Sequence, residues 1–76
     1  MRVINLDETG IKLLNDNKNQ IYITKEDLKD FVSGKYILKN DELIFNNKKL
    51  TLSSNEINTL PAIINYIKTE ILKTND

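Results

Sequence analysis

The chain has 76 residues, with eleven Lys and Arg against eleven Asp and Glu, and no Cys, His or Trp. This length fits one domain, 1–76, whose single core is worth roughly 3–5 kcal/mol; the composition excludes disulfides and thiolate or imidazole metal sites, and zero net charge gives none of the basic excess of a nucleic-acid binder. No apolar run approaches the ~18 residues of a membrane span, and the first residues lack a signal-peptide apolar region, so a cytoplasmic protein without membrane contact is expected.

The first half, about residues 1–34, opens with Arg2-Val3-Ile4, whose inward face the pattern does not decide. Ile11 to Leu14 and Gln20 to Ile23 then read as strands around the polar loop Asn15-Asp16-Asn17-Lys18-Asn19, with Ile21 and Ile23 inward and Tyr22 outward. Thr24 followed by Asp27 is a short form of the capping box and starts a helix over about 25–33. Leu28, Phe31 and Val32 form its apolar stripe, and Gly34 suits the position just past its end.

The second half, about 35–73, repeats the order. Asn40-Asp41 is a favourable two-residue turn that pairs Lys39 with Glu42, Leu38 with Leu43, Ile37 with Ile44 and Tyr36 with Phe45. A further turn at Asn47-Lys48 would pair Phe45 with Leu50 and Leu43 with Leu52. One face of this meander is then Tyr36, Leu38, Leu43, Phe45, Leu50 and Leu52, which is core. The other carries Lys39, Glu42, Asn46, Lys49 and Thr51 together with Ile37 and Ile44. Ser53 and Glu56 form a full capping box for a helix over about 54–73. Its stripe is Ile57, Leu60, Ile64, Ile67 and Ile71, and Pro61 should kink it or delay its start to about residue 59. Residues 74–76 should fray.

The segments Gln20 to Leu28 and Lys49 to Ile57 match as strand, hydroxyl residue, acid and apolar residue. They suggest two copies of β-β-β-α. The fold class expected is α+β: about six short antiparallel strands, in one sheet or two, with both helices on one side. Leu28, Phe31, Leu38, Leu43, Phe45, Leu50, Leu52, Leu60, Ile64 and Ile67 should form the core.

No catalytic constellation emerges. Ser33, Ser53 and Ser54 have no His to act as base, and helix ends and caps account for them. Asp7-Glu8 and Glu26, Asp27 and Asp30 are the paired carboxylates; the last three fall where a helix dipole favours acids. Asn15, Asn17, Asn19 and Glu26 have calcium-loop spacing, but Gln20 replaces the required Gly and strands flank the loop. Gly10 and Gly34 stand alone, so there is no phosphate loop. The chain therefore reads as having no enzymatic activity, no cofactor and no metal.

What remains is a binding surface. Tyr22 and Tyr66 are candidate aromatic anchors. Ile37 and Ile44 form an apolar pair on the solvent side of the second meander, bordered by Lys39, Glu42 and Lys49. A protein partner is expected, with no direct contact to nucleic acid; a homodimer formed through a sheet edge or the last helix is the alternative. Asn (11), Ile (11) and Lys (10) dominate while Arg appears once, a bias of A/T-rich codons. Small size and that bias are similar to phage or mobile-element inhibitors of host systems, anti-CRISPR proteins among them.

Overall fold

A computed structural model describes residues 1–73. The element order is β1 (Arg2–Asn5), β2 (Gly10–Leu14), β3 (Gln20–Thr24), α1 (Lys25–Val32), β4 (Ile37–Lys39), β5 (Glu42–Phe45), β6 (Lys48–Thr51) and α2 (Ser54–Tyr66). A π-helical turn, Ile67–Ile71, continues α2. The strands form two antiparallel three-stranded sheets, β1-β2-β3 and β4-β5-β6, so the fold is the expected α+β class with six strands in two sheets.

In the first sheet, Leu13 lies opposite Val3 and Ile21, and Ile11 opposite Ile23. Ile11, Leu13, Ile21 and Ile23 are buried, and Val3 packs against them, which settles the inward face of β1. The β2–β3 register joins Leu14 to Gln20 across the five-residue loop, as the pattern implies. In the second sheet, β4 and β5 pair as expected: Lys39 with Glu42, Leu38 with Leu43, Ile37 with Ile44. Asn40 and Asp41 have φ of 54° and 63°, the left-handed pair that a tight hairpin of matching twist requires.

The next turn corrects the sequence reading. It uses Asn46-Asn47, not Asn47-Lys48, so Phe45 faces Lys48 and Leu43 faces Leu50. Both turn residues need positive φ, and Asn enters that region more readily than Lys; theirs are 51° and 65°. The register moves by two residues, and a shift of two keeps every side chain on its own face. Leu43, Phe45, Leu50 and Leu52 are accordingly buried.

Leu38 is the second correction. It shares the inner face with Leu43 but is 42% exposed, because β4 is an edge strand and the core does not reach past it. Tyr36 lies outside the ladder, half-buried, with its ring 5.3 Å from Phe31. Phe31 also meets Phe45 edge-on at 5.4 Å. Leu28, Phe31, Leu60 and Ile67 complete one core shared by both halves, and Ile64 is partly buried against it.

The helix ends follow their residues. Thr24 Oγ1 accepts the Asp27 amide at 3.3 Å, but Asp27 Oδ2 takes its bond from Asn46 Nδ2 at 2.9 Å rather than closing a box. One methylene less than Glu leaves it free to tie α1 to the β5–β6 turn. Gly34, at φ 97°, ends α1; its N–H donates to Phe31 O and that of Lys35 to Asp30 O, the two bonds of a Schellman cap. Ser53 and Glu56 make both bonds of the expected box. Glu56 is buried, and its Oε2 lies 3.4 Å from the Met1 amino group.

Of the two outcomes expected at Pro61, the delayed start is ruled out: α2 begins at Ser54 and runs through Pro61. The ring costs the bond to the Ile57 carbonyl, but buried Leu60 and Ile67 anchor the helix on both sides of it. Past Tyr66 the winding loosens, and the Leu72 N–H donates to Ile67 O, five residues back, at 2.9 Å. The extra residue in that turn brings both Ile71 and Leu72 against the core. The expected fraying at 74–76 lies outside the described residues.

The five-residue loop is held by Asn15, only 4% exposed. Its Nδ2 donates to Thr51 O at 2.7 Å, and its Oδ1 accepts the Asn19 amide at 2.8 Å. Asn15→Ala removes both bonds, each worth about 0.5–1.5 kcal/mol, so a loss of about 1–3 kcal/mol is expected in urea unfolding. Asn15→Asp, which cannot donate to Thr51, should be no better. Parent-like stability in both variants would refute this role.

Candidate functional site

The two sheets meet along β3 and β6, but no strand ladder joins them. Side chains bridge the edges instead. Asn15 reaches the Thr51 carbonyl, and Lys48 Nζ donates to the Tyr22 carbonyl at 2.7 Å. Each bridge satisfies a carbonyl that an unpaired edge would leave open.

The alternation of each strand fixes what the outer faces carry. On the second sheet, Ile37, Ile44 and Lys49 form one cross-strand row, and Lys39, Glu42 and Thr51 the next. Five of the six candidate residues thus share one solvent-side face. Ile37 is 58% exposed, Ile44 and Glu42 are half-buried, and Lys39 and Lys49 are exposed. The Ile37–Ile44 pair is directly opposed, as the first hairpin register requires.

Tyr22 lies apart from them, on the outer face of the first sheet, in the row Ile4, Lys12, Tyr22. It is half-buried rather than a free anchor. Its hydroxyl donates to Thr9 O at 2.8 Å, and Lys48 Nζ stands 5.6 Å from its ring centroid. Tyr66, 47% exposed, is on α2, away from the strand set.

Sequence reasoning missed the rest of the first sheet's outer face. The neighbouring row is Arg2, Leu14 and Gln20, and Thr24 lies beyond Tyr22. No carboxylate stands at any of these positions. The signal was legible in the period of two, but only once the inward face of β1 was known.

Asp7 and Glu8 are exposed in the β1–β2 turn, where the Asp7 N–H donates to Asn5 Oδ1 at 3.0 Å. Of the calcium-spaced set, Asn15 spends its carboxamide on the protein. Among the described residues no cluster of three or more acids could hold a metal, no pocket is enclosed, and no helix is long and apolar enough to cross a membrane. What the arrangement offers is an open face of apolar side chains among charges. Compared with known proteins, the chain matches no family model, no curated protein and no solved structure.

Proposed function

We propose that this chain is a non-enzymatic protein-binding module, working in the cytoplasm as a phage or mobile-element inhibitor of a host system, anti-CRISPR-like in mode. The observation that carries the binding reading is the Ile37–Ile44 pair, held on a solvent-side strand face among Lys39, Glu42 and Lys49. Apolar side chains of this size contribute about 1.5–3 kcal/mol each when fully buried. Exposed, they return only strand pairing, about 0.2–1 kcal/mol. An apolar centre with a charged rim is how a docking patch is built. The inhibitor role is supported by small size and A/T-rich composition alone.

The double variant Ile37→Thr/Ile44→Thr keeps β-branching and should fold. It is expected to lose a partner that the parent captures stoichiometrically from host lysate. If it stays folded and keeps both partner and oligomeric state, this face is not the site.

A second reading, a subunit that assembles with itself, is favoured by β4. All three of its residues are exposed, and an open edge is a template for another strand. A protein that stays monomeric at the highest attainable concentration in sedimentation rules this reading out.

A further inference from the structure

We propose that the outer faces of the two sheets form one docking surface whose partner is an acidic protein face; this rests on the binding-module reading and names the chemistry of its partner. The charges of the chain are unevenly placed. Arg2 and Lys12 on the first sheet and Lys39 and Lys49 on the second carry four positive charges on the outer faces; Lys48, opposite buried Phe45, starts from the inner side of β6 and reaches out to the seam. Glu42 is the one carboxylate among these strand positions. The whole chain has eleven of each sign, so seven cations and ten acids remain for everything else. A neutral protein thus presents a basic strand side. Elsewhere acids outnumber cations: α1 carries Glu26, Asp27 and Asp30 against Lys25 and Lys29, and Asp7 and Glu8 lie in the first turn.

Basic charge alone would suit nucleic acid equally well. Three features of this face favour protein. Ile4 and Leu14 on the first sheet and Ile37 and Ile44 on the second lie between the cations, and aliphatic side chains give phosphate and base edges little to bind. The one aromatic, Tyr22, is covered on one side by Lys48 and has its hydroxyl bonded to Thr9, so it makes a poor stacking platform. Only one of the four cations is Arg, the residue best suited to bidentate phosphate contacts. A protein surface with apolar groups inside an acidic rim complements the face in both respects.

A random Glu/Tyr copolymer serves as probe, followed by amide shifts in 1H–15N spectra. Lys/Tyr copolymer and a short single-stranded DNA are run beside it. The Glu/Tyr copolymer should shift amides of β1, β2, β3 and β6 and leave those of α1 in place. Lys12→Glu/Lys49→Glu leaves two outward cations against three carboxylates on the face and should weaken binding at least about tenfold, as should about 0.5 M NaCl, which screens charges beyond a few ångström. Should that variant fail to fold, Lys12→Gln/Lys49→Gln should show a smaller loss in the same direction. Absence of binding, shifts centred on α1, or an unaffected folded variant would overturn the proposal. Tighter binding of DNA than of copolymer would overturn it in favour of nucleic acid. A lysate partner held equally well by the charge variants refutes the acidic chemistry and leaves the binding module standing. Copolymer bound on this face with no lysate partner upholds the chemistry and sinks the module.

Discussion

Gly10→Ala is expected to cost about 3 kcal/mol or more, which for a domain of this size is most of its stability. Gly10 sits at the start of β2, opposite Thr24, with φ of 147°. That is a conformation L side chains rarely adopt, and such strain alone costs of order 1–3 kcal/mol. Space is worse still. A Cβ would stand 2.2 Å from the Ile23 carbonyl oxygen and 2.9 Å from Thr24 Cα. Both are backbone atoms of β3, so relief means moving the strand that carries the α1 cap. Gly34→Ala is the control. It too has positive φ, 97°, but nothing lies within 4 Å of its Cβ. It should lose only the left-handed penalty, about 1–2 kcal/mol. Urea unfolding of both variants separates the two causes. Equal, small losses would mean that β2 does not approach β3 so closely.

Phe45→Ala should cost on the order of 3–5 kcal/mol, from lost transfer energy and the cavity left behind. Phe45 is 4% exposed and packs edge-on against Phe31, the residue that joins α1 to the second sheet. Removing the ring loosens the contact through which the two halves share a core. Leu38→Ala is the informative comparison. Leu38 occupies the same face by period but is 42% exposed on the edge strand. With little area to lose, it should cost well under about 1 kcal/mol. Thermal and urea unfolding that ranked Leu38 with Phe45 would place β4 inside the core and contradict the edge assignment.

Local rules carried the turn and three of the four expected pairs of the first β-hairpin of the second half; only Tyr36 with Phe45 is missing from the ladder. Asn40-Asp41 admits positive φ at both positions, so the turn set the register, and the register set the Ile37–Ile44 pair. The helix starts at Thr24 and Ser53 and the stop at Gly34 were legible for the same reason: each is decided within four residues. The second turn was misplaced because Asn46, Asn47 and Lys48 offer two overlapping pairs. The error moved the register by two, a full period, and left the core set intact.

Everything decided across distance was hidden. Leu38 alternates correctly but lies on an edge, and edge or centre is a property of the sheet, not the strand. Asn15 resembled a loop residue and proved to be a buried bridge to Thr51, thirty-six residues away. The delayed start expected from the local cost of Pro61 did not occur, since the burial of Leu60 and Ile67 outweighed that cost. The charges make the same point. Composition determined that they sum to zero. Only the strand registers put Arg2, Lys12, Lys39 and Lys49 on outer strand faces with Glu42 as the one carboxylate there, because net charge is a sum over residues and a surface is a selection of them.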